Sequence, residues 1–297
     1  MLIQFVGLRT KNLSTEMGRP TILVLGSSGL LGPYLSEEAE KYGRLITSSR
    51  SSGDFNADLS SISSVERLLK IVKPDWVIHA AGFTDVDGCE KDAERAFQDN
   101  ALSTENVALK LSPNSSLIYI STDQVYPLDK GPHIEDRADP VNVYGKSKFA
   151  GEKEALRHPR SLVLRTSFFG PSRTIGRQSL DDFMLGQLRR KEPFILFSDV
   201  FFSPLHMKTL SESIFLAVSK GLKGVFNLGS RMGRSKAEFG MLIADQFKLD
   251  HSVARLGLSS SIKGRAIRPL DLRLNSNKIE QALGIELPTL LEEIRKL

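Results

Sequence analysis

The feature that most narrows what this chain can fold into is the run Thr21 to Leu25, which passes directly into Gly26-Ser-Ser-Gly29-Leu-Leu-Gly32. Branched residues favour extended backbone, and closely spaced glycines permit a tight turn before a helix can begin. A helical stretch follows, to about Tyr42. Strand, glycine turn and helix in that order let backbone amides close on a pyrophosphate, whose charge sits at the helix N-terminus. This reading sets the turn, from Gly26 through Ser28 and Gly29 to Gly32, against a dinucleotide, with Gly32 also allowing the helix to pack close to the strand. The competing reading is a glycine-rich turn with no ligand.

The same alternation repeats downstream. The strand Arg44 to Thr47 ends in Ser48-Ser49-Arg50. An acidic residue near this point would hold the ribose diol of NAD. None is present, so Ser49 and Arg50 are expected to receive a 2′-phosphate, favouring NADP(H) over NAD(H); the alternative for Arg50 is an ordinary surface charge. Asp58 and Leu59 follow a short strand around Phe55, where Asp58 either meets the adenine amino group or caps the helix beginning near Ile62. The next strand, Asp75 to Ala80, runs into Ala80-Ala81-Gly82-Phe83-Thr84, small enough for close approach by a flat cofactor. His79 lies within that apolar strand and reads as a core histidine. Glu90 to Leu111 reads as one long helix, and Leu117 to Ile120 as the strand that closes the series. Strands alternating with helices at this spacing predict an α/β fold with a Rossmann-type doubly wound parallel sheet, its ligands at the carboxyl ends of the strands.

One such end carries Ser121 and Thr122. Further on, Tyr144 and Lys148 stand four apart at the start of a predicted helix, one turn apart on one face. A phenol has a pKa of about 10, and a nearby fixed positive charge draws it toward the working range. Thr122 offers a neutral hydrogen bond to a reacting oxygen. Thr122, Tyr144 and Lys148 are therefore the catalytic candidates, with Tyr144 in acid–base work.

Composition excludes several other classes. No apolar run approaches the length needed to cross a bilayer. The net charge of +5 comes from 40 basic and 35 acidic residues that are interspersed, which suits a phosphate-bearing small molecule better than a nucleic acid. The single cysteine, Cys89, excludes an internal disulfide and argues against a thiolate metal centre; no metal is expected, and a reducing cytoplasm is. Residues 1–19 precede the first strand and are expected to be a disordered extension, with Met17 as an alternative start.

Taken together, these residues resemble the extended short-chain dehydrogenase/reductase superfamily, and within it the dTDP-4-dehydrorhamnose reductase family. The likeness rests on Gly26 to Gly32, His79 to Asp87, Ser121 to Tyr126, Asp139 to Glu152, Leu164 to Ser167, the Asp199 to Pro204 loop and Arg268-Pro269. It implies that Tyr144 donates a proton, that Lys148 supports it and holds the cofactor ribose, and that Thr122 polarises the substrate carbonyl. The dinucleotide would lie along Gly29, Leu30, Leu31, Asp58, Leu59, Ala80, Ala81, Gly82 and Thr84, reaching Tyr144 and Lys148. Thr122, Asp123 and Phe168 would face a nucleotide sugar.

The implied organisation is a dinucleotide-binding domain over 20–170, completed by about 205–232, and a smaller substrate lobe from 171–204 and 233–297. The implied function is an NAD(P)H-dependent reductase of a nucleotide-linked 4-keto-6-deoxy sugar, with a homodimer as one expectation. A sugar-nucleotide epimerase on the same triad and a non-catalytic dinucleotide-binding regulatory subunit are the alternatives. The chain departs from the family's usual pattern at Gln124, at Phe168, in the apparently inserted stretch Pro171 to Ser179, and in the apolar loop at 199–206. Arg173, Arg177 and Arg268 are candidates to pair with a substrate diphosphate. The aromatic stretch Phe194 to Phe202 reads either as a pocket wall or as core.

Overall fold

The computed structural model describes residues 18–297. The expected disordered extension falls outside these, apart from its last two residues, of which Arg19 donates to the Glu40 and Lys41 carbonyls at 3.0 and 2.8 Å. The chain runs through β1 (Thr21–Leu25), α1 (Gly32–Tyr42), β2 (Arg44–Ser49), β3 (Phe55–Asn56), α2 (Ile62–Val72) and β4 (Trp76–His79). Then come α3 (Val86–Lys91), α4 (Ala93–Phe97), α5 (Ser103–Lys110), β5 (Ser116–Ile120), α6 (Val143–Leu156) and β6 (Ser161–Thr166). After α7 (Leu180–Arg190) and α8 (Met207–Ser219), the strand Gly224–Leu228 returns to the edge of the same sheet.

The sheet has seven strands, all paired in parallel, in the order Gly224–Leu228, β6, β5, β4, β1, β2, β3. Alternate residues of each strand point to opposite faces. Ile22 and Val24 of β1 join a core with Leu35 of α1 and Leu210, Ile214 and Phe215 of α8. Leu23 and Leu25 join the opposite core with Val65, Leu68 and Leu69 of α2 and Val107 of α5. Both faces are therefore covered, which is why these strands are near-continuous in apolar residues.

The expected single helix from Glu90 to Leu111 is broken. Asp92 leaves helical geometry at φ −139° and ψ 74°, and its carboxylate accepts from the Arg95 amide at 3.1 Å, capping α4. A π-helical turn, Gln98–Leu102, then joins α4 to α5. In that turn the Asn100 carbonyl accepts from the Tyr119 hydroxyl at 3.1 Å and from the Thr104 hydroxyl at 2.8 Å. The Asn100 side chain binds both backbone groups of Phe83. Tertiary hydrogen bonds thus stabilise a turn that helix propensity alone disfavours.

A third core gathers Phe169, Met184, Leu188, Phe194, Leu196, Phe202, Phe239, Ile243, Leu290 and Ile294. Phe194, Leu196 and Phe202 are buried in it, so the aromatic stretch packs as core rather than walling the cleft. α9 (Lys236–Gln246) contributes Phe239 and Ile243 to this lobe.

Candidate active site

A cleft of about 420 Å³ opens at the carboxyl ends of the central strands. Its wall carries Gly26 and Ser28 to Gly32 from the first turn, Ser49 and Arg50 at the end of β2, Asp58 and Leu59 after β3, and Ala80, Ala81, Gly82 and Thr84 after β4. Thr122 and Asp123 after β5, Tyr144 and Lys148 on α6, and Phe168 after β6 complete it. The residues proposed from the sequence as catalytic or as facing the dinucleotide thus lie on one cavity, together with Asp123, Phe168 and one of the three candidate arginines, Arg177. Among the described residues no cluster of side chains is arranged to hold a metal ion.

The first turn has no room for a side chain at Gly26 or Gly32. Gly26 sits at φ +86°, and a Cβ there would lie 2.6 Å from the Ala81 nitrogen. At Gly32 a Cβ would meet the Ser27 carbonyl oxygen at 2.2 Å. At Gly29 it would meet only the Gly26 oxygen, at 3.2 Å. The N-terminus of α1 has no side-chain cap. Its first amides are left free for an outside acceptor, and the dipole there favours an anion. These observations fit a dinucleotide pyrophosphate.

At the far end, the Ser49 hydroxyl is held within a local turn, donating to the Ser52 carbonyl at 2.6 Å and accepting from its amide at 2.9 Å. Arg50 pairs with Asp99 at 3.3 Å and remains 61% exposed. Asp58 accepts from the Ser60 amide and hydroxyl, whereas Ser61 caps α2. The capping alternative for Asp58 is therefore corrected, because the helix starts three residues later than an Asp58 cap requires.

α6 owes its start to Asn142, whose side-chain Oδ1 accepts from the Gly145 amide at 2.8 Å. The Asn142 amide group donates to Gln124 Oε1 at 3.2 Å and to the Ile267 carbonyl at 2.9 Å. Gln124 thus turns to the cap of α6 and is not on the cleft wall, so its departure from the family pattern does not reach the cavity directly.

Tyr144 is buried, and burial raises its phenol above the usual range; a hydrogen bond with Thr122 acts the other way, and Asp123 raises it further. The expectation that Lys148 draws this phenol down is not met. Lys148 Nζ instead donates to the Ile120 carbonyl at 2.7 Å and lies 4.0 Å from the centroid of the Tyr119 ring. Burial depresses the Lys148 ammonium to about 7, opposed by the Glu152 carboxylate. Thr122 Oγ accepts from the Gln124 amide and donates to Asp123 Oδ1, both at 3.2 Å. Burial pushes Asp123 up to about 6, with Lys236 among the groups that oppose the rise.

Sequence reasoning missed the pair that stiffens this site. Glu152 accepts from Ser121 Oγ and from Nε and Nη2 of Arg165, the latter at 2.7 Å. Arg165 Nη1 also donates to the Tyr126 hydroxyl and the Glu135 carbonyl at 3.1 and 2.6 Å. The signal was present: Glu152 continues the row of Tyr144 and Lys148 one turn further along α6. Asn100, which also binds the Ser147 hydroxyl at 2.9 Å, gave no comparable sign.

The three candidate arginines separate. Arg268 is taken by Asp87, with both nitrogen–oxygen distances 2.9 Å, and that carboxylate is lowered to about 2 chiefly by the Arg268 hydrogen bond. Arg173 pairs with Glu37 and stacks 4.0 Å above the Tyr34 ring. Arg177 alone of the three reaches the cleft wall.

A doubly wound parallel sheet with Thr, Tyr and Lys gathered at a glycine-turn cleft defines the extended short-chain dehydrogenase/reductase class. Within it, the chain belongs to the RmlD substrate binding domain family, whose model matches residues 20–297. It is 27% identical over 283 residues to a dTDP-4-dehydrorhamnose reductase of Escherichia coli (strain K12), covering 90% of this chain and 93% of that one. It is 26% identical over 288 residues to a probable low-salt glycan biosynthesis reductase of Haloferax volcanii, covering 92% and 96%. A crystal structure of dTDP-4-dehydrorhamnose reductase from Bacillus anthracis, in complex with NADP, superposes with a TM-score of 0.84 at 23% identity, covering 94% and 98% of the two chains.

Proposed function

We propose that the chain is an NAD(P)H-dependent reductase of a nucleotide-linked 4-keto-6-deoxy sugar, working through Thr122, Tyr144 and Lys148. The observation that carries this reading is that those three residues, from the end of β5 and from α6, line the same cleft as the glycine turn. The names of the Escherichia coli and Haloferax relatives support a sugar-linked reductase, and the NADP bound to the Bacillus anthracis protein supports NADP(H) over NAD(H).

The dinucleotide, when bound, supplies the hydride. The glycine turn and the α1 N-terminus hold its pyrophosphate, and Ser49 and Arg50 its 2′-phosphate. Asp58 and Leu59 border the adenine end, and Ala80 to Thr84 give the flat approach. Lys148 binds the ribose next to the nicotinamide. Thr122 and Tyr144 hydrogen-bond the substrate carbonyl oxygen and stabilise charge where it develops. Burial keeps the Tyr144 phenol protonated at neutral pH, so it is ready to donate as that oxygen becomes basic. Asp123 and Phe168 face the sugar, and residues 171–204 with 233–297 form the lobe that covers it, against the dinucleotide domain of 20–170 and 205–232. Among the described residues no helix is long and apolar enough to cross a membrane. The single cysteine, buried and free, suits the reducing cytoplasm in which we place the enzyme.

The test is NADPH oxidation by the purified chain against a panel of 4-keto-6-deoxy sugar nucleotides. Turnover on at least one is expected. Interconversion of sugars with no net NADPH consumption would replace this reading with an epimerase. No chemistry on any of them, together with a stable co-purifying partner, would favour a regulatory subunit.

A further inference from the structure

We propose that Arg177 binds the pyrophosphate of the dinucleotide, carried there by a strap that the segment from Pro171 to Ser179 lays across the glycine turn. This rests on the dinucleotide-binding reading above. The strap is tied down along its length. The Tyr34 hydroxyl of α1 donates to the Pro171 carbonyl at 2.8 Å, and Arg173 pairs with Glu37 of the same helix. Thr174 Oγ donates to the carbonyl of Gly29 itself, at 3.1 Å. At the trailing end, Asp182 accepts from the Ser172 and Ser179 amides, which fixes the segment to the start of α7.

Arg177 follows from that anchorage. Its amide donates to the Thr174 carbonyl at 3.2 Å, and Gly176 between them has φ +75°. A turn closed in this way keeps its first and fourth Cα atoms within about 7 Å, and glycine is the residue that suits positive φ at its third position. Arg177 is therefore held close to the residue whose side chain touches the Gly29 carbonyl, and it lines the same cleft as Gly29, Leu30 and Leu31.

Its charge is also uncommitted. Of the three basic residues on the cleft wall, Arg50 pairs with Asp99 and Lys148 donates to Ile120, while Arg177 has no side-chain partner among the described residues. A guanidinium presents two parallel donors that match two phosphate oxygens. The α1 N-terminus would hold the phosphate group, and the strap is tied to Gly29 of that turn and to Tyr34 and Glu37 of that helix. The segment thus supplies a cation to a turn whose other donors are backbone amides.

The experiment measures dissociation constants of NADPH and NADH by fluorescence titration for the wild-type chain and Arg177→Gln. A pyrophosphate contact weakens both dinucleotides alike, by roughly ten- to a hundredfold, the range of a hydrogen bond to a charged group. Thr174→Val, which releases the strap from Gly29, should weaken both in the same direction by a smaller factor. Loss confined to NADPH would move Arg177 to the 2′-phosphate and overturn the proposal. Unchanged affinity for both, with a raised KM for the nucleotide sugar, would overturn it in favour of the substrate diphosphate. Unchanged affinity and kinetics would overturn it outright while leaving the reductase reading intact. A wild-type chain that binds neither dinucleotide would remove that reading and this proposal together.

Discussion

Lys148 donates its ammonium proton to the carbonyl of Ile120, the last residue of β5, across 2.7 Å. The charge is thereby held at the strand end that also presents Thr122, inside a region where burial is unfavourable to it.

That burial has a signed consequence for stability. Lys148 is depressed to about 7 from its ordinary 10.5, burial being the main cause. Between those values the unfolded chain binds more protons than the folded one, so stability rises with pH across the window, and the cost is complete below its lower edge. Lys148→Met should therefore raise the melting temperature at acidic and neutral pH, and the gain should shrink as pH climbs through the window. A variant no more stable than wild type under acidic conditions would show that the ammonium is better solvated than its surroundings indicate.

Tyr144→Phe removes one oxygen and little else. Loss of a positioned general acid costs ~10²- to 10⁴-fold in rate, so kcat should fall within that range. The dissociation constant for NADPH, measured by titration, should change little. Undiminished turnover would remove Tyr144 from the mechanism.

Asp123 titrates in the opposite sense to a paired surface carboxylate. Burial raises it to about 6 from 3.8. Across that window the folded chain binds more protons than the unfolded one, so stability falls as pH rises through it. Asp123→Asn should raise the melting temperature above the window and leave it unchanged below. Thermal scans at both ends decide the matter, and equal shifts at the two would point to packing rather than charge.

The Glu152–Arg165 pair is 1% and 3% exposed and joins α6 to β6. Removing one partner strands a buried charge, at a cost of about 3–5 kcal/mol. Glu152→Gln should show that loss in urea unfolding, and Glu152→Gln with Arg165→Met should recover much of it. A single variant within about 1 kcal/mol of wild type, as surface pairs behave, would mean that water reaches the pair.

The alternation of strands and helices, the glycine turn and the four-residue spacing of Tyr144 and Lys148 were legible because each is local. Periodicity, turn chemistry and helix geometry operate over a few residues, and they sufficed to pick out Thr122, Tyr144, Lys148 and the glycine turn, which share one cleft. The break at Asp92 was not legible, since Asn100 is stabilised in its π turn by Phe83, Tyr119 and Ser147 from elsewhere in the chain. Nor was the division among the arginines. Arg173, Arg177 and Arg268 look alike as residues, and only the fold set Glu37 and Asp87 beside two of them. The same holds for charge at the site. Spacing put Lys148 on the face of Tyr144, but the depth of burial decided that the phenol rises and the ammonium falls. Sequence by itself determined the sheet, the strand ends at which the cleft opens and the candidates for the reacting groups. Tertiary structure decided their ionisation and their partners, because desolvation and ion pairing depend on atoms brought together from distant parts of the chain.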